Sequence, residues 1–335
     1  MLLLALLAPA FLASLPSRDT RRAGGRQSAW VRSWAIWRHF RDYSLARLVK
    51  TAEPDPSGNY LFGFHPHGVL VTGAFSNFCT EATGFSSLFP RLLPYLLMLP
   101  CWFYLPLFRD YIMCRGLVSS DKAAAAYLLS RPGGGQVAVL AVGGPLEALE
   151  AKAGELILWI RNQKGFVPLA REQGRARLCS PPGPPWCPAF SFGDNELFQQ
   201  FPNPPGSRLR SAQEALPPLL SVALPLFQGS LGLLLPFRTP IHTVVGAPIP
   251  VQRSPRPSRE QVDALHALSV ERLAQRFEER KARYGLAAHP HLLLAWARRP
   301  RPPGARGGRA TRGKLNVATE LRCPPSSAQR PAQTD

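Results

Sequence analysis

The sequence predicts an α/β fold, and three observations lead to that prediction. Short apolar runs of the kind that form buried strands occur at residues 60–64, 137–142 and 241–245. Residues 121–130 are typical of a short helix between the first two runs, and a long amphipathic helix begins near residue 258. Alternation of strands and helices is the pattern of a sheet covered by helices.

Each strand prediction depends on composition and on the residues that end the run. The three runs read YLFGF, VAVLAV and IHTVV, and they are rich in β-branched or aromatic residues and bounded by Gly, Pro or His. Segment 121–130 reads DKAAAAYLLS and is closed by Arg131, Pro132 and Gly133. We expect these elements to form one layered core.

The long helix has recognisable start and stop signals. Ser258 followed three residues later by Gln261 makes a capping box, and Gly285 supplies the stop. Apolar side chains recur at roughly helical spacing, so we expect this helix to pack on the sheet; they are Val262, Leu265, Leu268, Leu273 and Phe277.

Two apolar stretches contain too many prolines for simple membrane-spanning helices. Residues 88–108 have one charge and four prolines, and residues 215–237 have no charge and four prolines. Proline removes a helix hydrogen bond and clashes with the preceding turn. We therefore predict membrane-embedded, re-entrant or surface positions for these stretches, with a proline-rich core as the alternative.

The amino terminus predicts membrane attachment. Residues 1–17 are uncharged and mostly apolar, and five arginines follow between residues 18 and 32. Positive charge after an apolar run keeps the following chain on the cytosolic side. We expect residues 1–17 to form an anchor or half-hairpin, with a cleaved signal or a mitochondrial leader as alternatives. The six cysteines form no CxxC pair, which also favours a reducing compartment.

The net charge of +19 is concentrated at the two ends of the chain. Residues 1–50 hold nine basic and two acidic residues, as do residues 291–335, and the 240 residues between hold 22 and 17, giving +7, +7 and +5. The composition of the end predicts a disordered basic tail over 291–335, which leaves a folded domain at 18–290. With no RNP motif, zinc spacing or basic face interleaved with aromatics, the charge favours an anionic membrane surface over nucleic acid.

The segment with the clearest chemistry is NYLFGFHPHGVLVTGAF at residues 59–75. An apolar strand leads to His65, Pro66, His67 and Gly68, where Pro66 stiffens the turn and Gly68 allows substrate close to the backbone. Two imidazoles at the end of a strand suit proton abstraction, because neutral histidine has an unperturbed pKa of about 6.5. On spacing alone, the pair could equally bind a metal or cap a turn.

Five further blocks place HPHG in a family context. They are RDYIM at 109–113, GGPLEAL at 143–149, KGFVPLA at 164–170, SFGDNELF at 191–198 and VVGAPIPV at 244–251. In this order they resemble the type-2 diacylglycerol acyltransferase family, which includes monoacylglycerol and wax-alcohol acyltransferases. Segments 24–43 and 48–53 look closest to the monoacylglycerol branch, in particular its type-3 member. The resemblance covers residues 24–290 approximately.

The resemblance implies a fold and an activity. It implies a mixed sheet with helices in an integral enzyme of the endoplasmic reticulum, with its catalytic domain on the cytosolic side. The enzyme would transfer a fatty acyl group from acyl-CoA to an acylglycerol hydroxyl, without metal or other cofactor. Acyl-CoA, acylglycerol and membrane lipid are the implied partners, and self-association stays open.

Within that resemblance, roles follow for individual residues. We expect His67, in preference to His65, to act as general base, and Glu147 to orient its imidazole; a carboxylate stabilised by a helix N-terminus is the alternative for Glu147. Three glycines would shape the turn or the oxyanion site, three basic residues would bind the CoA phosphates, and two polar residues would fix a loop nearby. These are Gly68, Gly143 and Gly144; Arg161, Lys164 and Arg171; and Asp194 and Asn195.

Several features depart from the family pattern. Pro145 and Leu146 stand where two small residues are usual, and a proline-rich insertion at 175–190 interrupts an expected strand. The amino terminus is also short, and the tail has no family counterpart. These departures keep a second hypothesis open, a catalytically silent membrane protein that binds lipid. Other acceptors, such as diacylglycerol or a wax alcohol, also stay open.

Overall fold

The computed structural model of the chain describes residues 26–160, 164–167, 183–201, 207, 225–232, 235–254, 256–286 and 292–295. The predicted anchor at 1–17, the basic residues Arg161 and Arg171, and most of the predicted tail lie outside the described residues.

Twelve strands occur in the described residues. They are β1 Arg47–Lys50, β2 Tyr60–His65, β3 Leu93–Met98, β4 Leu117–Ser119, β5 Gln136–Ala141, β6 Ile157–Leu158, β7 Gly183–Phe192, β8 Gln199–Gln200, β9 Phe227–Gln228, β10 His242–Val245, β11 Ile249–Val251 and β12 Leu293–Leu294. The three predicted strands are confirmed as β2, β5 and β10, with ends shifted by no more than one residue.

Eight α-helices accompany these strands in the same part of the chain. They are α1 Ala29–Arg32, α2 Ala35–Ser44, α3 Thr72–Phe78, α4 Phe85–Leu88, α5 Pro106–Cys114, α6 Lys122–Leu129, α7 Gly144–Glu150 and α8 Arg259–Arg280. Short 3₁₀ turns cover Pro100–Tyr104, Asp194–Glu196 and Ala282–Tyr284. Helix α6 confirms the helix predicted over 121–130.

Eight of the strands form one mixed sheet. Its order is β1-β10-β7-β2-β5-β3-β4, and β11 also pairs with β7. Strands β7, β2, β5, β3 and β4 are mutually parallel, whereas β10 and β11 run antiparallel to β7. Every residue of the central strand β2 is buried, as expected for a parallel strand covered on both faces.

The proline-rich stretch at 88–108 does not form one embedded segment, which corrects the prediction for its central part. Residues 93–98 form β3, which lies inside the sheet between β5 and β4. Proline is far more disruptive inside a helix than near the start of a strand, so the same letters that exclude a spanning helix are compatible with β3. The core alternative is therefore correct for this part. No helix in the described ranges is long and apolar enough to cross a bilayer.

The predicted interruption at 175–190 is also corrected in its second half. Strand β7 begins at Gly183 and continues to Phe192 beside β2. Pro188 is tolerated because its carbonyl accepts a hydrogen bond from the Gly246 N–H at 2.8 Å. Its nitrogen therefore faces the irregular link between β10 and β11 and removes no bond to β2.

Helix α8 matches its prediction closely. The Ser258 hydroxyl accepts from the Gln261 N–H, and the Gln261 side chain accepts from the Ser258 N–H, which completes the capping box. Leu265, Leu273 and Phe277 are buried in the same cluster as β7 residues. Helix α8 thus covers one face of the sheet at β7.

The folded part of the chain extends beyond residue 291. Strand β12, at Leu293–Leu294, pairs with β6 in parallel, so residues 292–295 of the predicted tail belong to the ordered structure. Because β6 belongs to the segment that follows α7, this pairing places residues 293–294 beside that segment. The proposed domain limits elsewhere remain predictions.

Candidate active site

The site lies at the carboxyl ends of three neighbouring parallel strands. Strand β2 leads into His65–Gly68, β5 leads into Gly143 and α7, and β7 leads into Gly193 and Asp194. Because β2 lies between β5 and β7, the three connections meet at one sheet edge, where open α/β sheets commonly bind ligands. The structure therefore brings the HPHG, GGPLE and FGDNE blocks together.

His67 has a defined tautomer with one open nitrogen. Its Nδ1 lies 3.0 Å from the Gly68 carbonyl oxygen, and because a carbonyl only accepts, we assign the ring proton to Nδ1. In the neutral ring, Nε2 then carries a lone pair. The side chain is partly exposed, and burial lowers the pKa of His67 below its usual value. This ring is therefore a neutral proton acceptor at physiological pH.

Glu147 holds the backbone of the turn. Its Oε1 accepts from the His67 main-chain N–H at 2.6 Å, and its Oε2 accepts from the Trp159 N–H at 3.1 Å. The carboxyl group is buried in the first turn of α7, and burial raises its pKa to about 7. The predicted contact with the imidazole is replaced by one with the backbone: the carboxylate accepts from two main-chain N–H groups, and the ring Nδ1–H donates to the Gly68 carbonyl. Glu147 orients the turn that carries the ring.

Two glycines are needed at this edge for different reasons. A Cβ at Gly143 would overlap the Glu147 carboxylate, so only glycine lets that side chain fold back over the start of α7. Gly68 has φ +59°, a left-handed conformation that favours glycine. The third predicted glycine, Gly144, also has a left-handed φ, +64°, and begins α7.

Asp194 links the end of β7 to the helix that follows HPHG. Its Oδ1 accepts from the Gly73 N–H at 3.1 Å, near the N-terminus of α3, where a carboxylate is favoured. Burial raises the pKa of Asp194 to about 6. Gly193 allows this turn with φ +91°, since a Cβ there would overlap the Pro240 carbonyl oxygen. Asp194 thus fixes the distance between β7 and α3.

A buried polar network that the sequence did not predict supports Asp194. Asn77 Nδ2 donates to the Gly73 carbonyl at 2.7 Å and to Thr243 Oγ1 at 2.8 Å. Thr243 Oγ1 lies 3.0 Å from Ser191 Oγ. These side chains come from α3, β10 and β7, so no local motif could have indicated them.

Asn195 and its neighbour Glu196 anchor the segment after α7. Asn195 Nδ2 donates to the Glu155 carbonyl at 2.9 Å, and Glu196 Oε1 accepts from the Gly154 N–H at 2.7 Å. This segment then runs to Trp159, whose N–H binds Glu147. Asn195 therefore holds the segment after α7, and Glu196 adds a contact that went unpredicted; a role of Asn195 in the site stays a prediction.

His65 occupies a different environment from His67. Its side chain is 3% exposed and lines a narrow cavity between the sheet and α8, which His67 does not line. Burial, with a smaller contribution from His266, lowers the pKa of His65 to about 3, so this ring is neutral. The expectation that His67 projects into the substrate cavity stays a prediction, because this narrow cavity is too small for a substrate.

Of the three basic residues predicted to bind CoA, only Lys164 is described. Its Nζ lies 2.6 Å from Asp263 Oδ1 on α8, and both side chains are substantially exposed. Burial, with a smaller contribution from the nearby Lys164 ammonium, lowers the pKa of His266. Lys164 therefore lies near the same cavity, paired with a carboxylate. Across the described ranges, no cluster of three or more His, Cys, Asp or Glu side chains is arranged to hold a metal ion.

Comparison with known proteins adds a family assignment to this geometry. A family model described as "Diacylglycerol acyltransferase" matches residues 1–295. No solved structure matches the chain.

Three curated relatives illustrate the similarity. The chain is 49% identical over 282 residues to 2-acylglycerol O-acyltransferase 1 of Bos taurus, covering 82% of this chain and 81% of the relative. It is 43% identical over 283 residues to 2-acylglycerol O-acyltransferase 3 of Homo sapiens, covering 82% and 80%. It is 40% identical over 283 residues to diacylglycerol O-acyltransferase 2 of Danio rerio, covering 82% and 76%. The bovine type-1 protein is thus more similar than the human type-3 protein.

Proposed function

The chain belongs to the diacylglycerol acyltransferase family and is an O-acyltransferase, and from that premise we propose that it converts monoacylglycerol to diacylglycerol with acyl-CoA as donor. Two of the three relatives described above carry the name 2-acylglycerol O-acyltransferase, and both exceed the diacylglycerol O-acyltransferase in identity. Acyl-CoA is a substrate that brings its own activated thioester, so the proposed reaction uses no further cofactor.

The observation that carries the mechanism is the contact of His67 Nδ1 with the Gly68 carbonyl, from which we assign a lone pair to Nε2. The acceptor hydroxyl gives its proton to Nε2 while its oxygen attacks the thioester carbonyl carbon. The tetrahedral intermediate then collapses, the carbon–sulfur bond breaks, and the imidazolium returns the proton to the CoA thiolate. The ester forms, free CoA leaves, and His67 ends in its starting state.

The developing negative charge needs donors close to His67. The first N–H groups of a helix have no partner inside that helix, and α7 begins at Gly144 directly beside the turn. We propose that the amides of Gly143 and Gly144 donate to the oxyanion. Pro145 has no N–H and cannot contribute.

The low pKa of His67 gives the proposed base a defined pH range. Protonation of Nε2 would remove the lone pair. Burial lowers the pKa of His67 below its usual value of 6.5, so this protonation occurs only at lower pH. The rate of acyl transfer should therefore decrease only below pH 6.5, and His67 should act fully as a base at neutral pH.

We propose attachment to the membrane of the endoplasmic reticulum, and an exposed apolar surface supports contact with a membrane. The start of α1 is joined to α5 by the hydrogen bond from the Ser28 N–H to the Cys114 carbonyl, at 2.8 Å, and by the Arg26–Asp110 ion pair, and α2 is joined to α1 by the bond from Trp37 Nε1 to the Val31 carbonyl, at 2.9 Å. Large apolar side chains project from these segments with 38–73% of their surface exposed; they are Trp30, Ile36, Tyr104, Leu105, Leu107, Phe108 and Tyr111. Such a surface is typical of membrane or protein contact. Alkaline carbonate extraction of microsomes would test whether attachment is integral.

An acceptor panel tests the proposed activity. Microsomes that contain the chain would receive labelled acyl-CoA with 2-monoacylglycerol, diacylglycerol or a long-chain alcohol, with microsomes lacking the chain as control. We expect labelled diacylglycerol from 2-monoacylglycerol as the main product. Preferential labelling of triacylglycerol or wax ester would reassign the acceptor, and no labelled product would favour the silent lipid-binding alternative.

A further inference from the structure

A small cavity lies directly behind the HPHG turn, between the sheet and α8. Its walls are mainly apolar, but they also include His65 at the end of β2 and two residues of α8, His266 and Ser269. Trp186 of β7 forms another wall, and its ring stacks on Phe166 with centroids 4.0 Å apart. The cavity is therefore shared by the sheet and the helix that covers it.

Two nitrogens of the cavity walls are buried without a hydrogen-bond partner among the described residues. They are Nδ1 of His65 and Nε1 of Trp186. An indole nitrogen can only donate, whereas the unprotonated nitrogen of a neutral imidazole accepts. If the His65 proton is on Nε2, a group that satisfies both must accept one hydrogen bond and donate another. Such pairs of buried groups are commonly joined by an internal water.

His266 offers a third polar group with an assigned tautomer. Its Nε2 lies 2.8 Å from the Ile160 carbonyl oxygen, so Nε2 carries the proton and Nδ1 carries a lone pair. The neighbouring Ser269 hydroxyl donates to the Leu265 carbonyl at 2.6 Å, which leaves its oxygen able to accept. The charged groups nearest to His266 are Lys164 and Asp263, which pair with each other.

The size of the cavity decides which ligand fits. Its volume is about 10 Å³. A site of roughly 10–15 Å³ on this measure holds one water molecule, provided that two to four polar partners are present. A fatty acyl chain or any part of CoA is far larger. The cavity therefore matches a single water in both volume and polarity.

We propose that one ordered water bridges Trp186, His65 and His266, and that His266 acts through it as a positioning residue for the acyl transfer proposed above. The water accepts from the Trp186 N–H and donates to Nδ1 of His65 and Nδ1 of His266. His65 then keeps its own proton on Nε2. The two histidines of HPHG thus hold opposite tautomers, His65 as a donor and His67 as an acceptor at Nε2.

Nitrogen-15 NMR of histidine in the full-length chain, reconstituted in phosphatidylcholine vesicles, reports the tautomer directly. The His65 signal is identified by its loss in His65→Gln. We expect the Nε2–H tautomer for His65 in the wild-type chain and a mixture of tautomers in His266→Leu. The opposite tautomer, Nδ1–H, in the wild-type chain would overturn the proposal, as would an unchanged His65 signal in His266→Leu.

Kinetic readouts separate positioning from simple packing. We expect His266→Leu to lower kcat about tenfold with little change in the KM for acyl-CoA, and His266→Gln, which keeps a donor and an acceptor, to restore most of that loss. His242→Leu, a histidine outside the cavity, serves as control. Equal losses in His266→Leu and His266→Gln would contradict a role that depends on hydrogen bonding.

A second variant covers the case in which His266→Leu does not fold. Trp186→Phe keeps an aromatic ring against Phe166 and removes the N–H donor together with part of the buried indole. We expect it to disturb the His65 tautomer in the same way, and a wild-type signal would overturn the water bridge. Because the NMR measurement needs no turnover, loss of the proposed acyl transfer activity and loss of the water bridge remain distinguishable.

Discussion

The two histidines of HPHG are one residue apart in sequence but belong to two different regions. In the turn region, which comprises His67, Gly68, Gly143, Glu147 and Asp194, the key contacts are made to main-chain N–H or carbonyl groups. In the cavity region, which comprises His65, Ile160, Phe166, Trp186 and His266, aromatic rings pack against each other.

This difference separates two tasks within one motif. Main-chain contacts hold the turn region while leaving the His67 ring partly exposed, which suits a group that must meet a substrate. Close packing in the cavity region buries His65 and keeps it neutral, which suits a supporting group. Variants of the two regions should therefore differ in kind as well as in size.

The largest effect short of replacing His67 is expected for Glu147→Ala in the turn region. Two partly buried N–H groups, those of His67 and Trp159, would lose their acceptor, at up to about 1–3 kcal/mol each. We expect the free energy of unfolding in detergent to fall by that order and acyl transfer to fall about 100-fold. Glu53→Ala, an exposed carboxylate, is the control. Normal activity in the folded fraction of Glu147→Ala would show that this carboxylate does not hold the turn.

The two regions can also be compared with one Gly→Ala variant in each, because the added Cβ would overlap a neighbouring side chain in both places. A Cβ at Gly143 would displace the Glu147 carboxylate, and a Cβ at Gly63 would overlap the Trp186 ring. We expect Gly143→Ala to reduce kcat 10- to 100-fold, and Gly63→Ala to act mainly on stability, by about 1–3 kcal/mol. Gly165→Ala, where a Cβ meets no atom within 4 Å, is the control. The proposed difference between the two regions is contradicted if both variants lose kcat and free energy of unfolding in the same proportion.

The buried acids of the turn region predict how stability depends on pH. Burial raises the pKa of Glu147 to about 7 and that of Asp194 to about 6, so the folded state retains protons that the unfolded state releases above about pH 4. Taken by themselves, these two acids should make the free energy of unfolding fall as pH rises from about 4 to about 7. The lowered pKa of His65 acts in the opposite direction over the same range, so the contribution of each acid is measured as a difference between a variant and the wild-type chain.

The variant Asp194→Asn isolates one of these acids. It keeps an acceptor for the Gly73 N–H. Between pH 4 and 6, the difference in free energy of unfolding between Asp194→Asn and the wild-type chain should change by up to about 3 kcal/mol, as measured by denaturant unfolding. Asp55→Asn is a suitable control, because hydrogen bonds from Ser57 lower the pKa of Asp55 and move its titration below this range. An identical pH slope in Asp194→Asn and the wild-type chain would contradict the assignment.

The smallest effects are expected at the rim of the cavity region. Lys164 and Asp263 form an exposed ion pair, which contributes less than about 1 kcal/mol to stability. If Lys164 also meets the CoA phosphates, Lys164→Gln should raise the KM for acyl-CoA about three- to tenfold, whereas Asp263→Asn, which frees the ammonium, should lower it. Lys152→Gln serves as the lysine control. Unchanged KM values in both variants would remove Lys164 from the proposed binding site.

Local signals predicted the framework of this site well. The capping box of α8, the strand that ends at HPHG and the glycine before Glu147 each depend on residues close in sequence. Each of them lies where it was expected. Proline was the least reliable guide to secondary structure. The prolines at 93–98 and 183–192 exclude a helix, but they do not indicate that both segments are strands inside the sheet.

Long-range partners could not be predicted in the same way. The contact between Glu147 and Trp159, the network of Asn77, Ser191 and Thr243, and the approach of His266 to His65 all depend on the order of strands in the sheet. Sequence spacing carries no information on that order. For the same reason, the sequence could rank His67 above His65 as the candidate base, but it could not show that the two side chains lie in different surroundings.

The most direct test of the account compares His67→Gln with His65→Gln in one assay. The rate of labelled diacylglycerol formation from 2-monoacylglycerol and acyl-CoA would be measured per amount of folded protein at pH 7.

Because His67 alone is assigned an open Nε2 lone pair, we expect His67→Gln to lose at least about 100-fold in rate, in line with the loss of a general base, and His65→Gln to lose about tenfold or less. Near-normal activity in His67→Gln together with complete loss in His65→Gln would contradict the account and assign the base to His65.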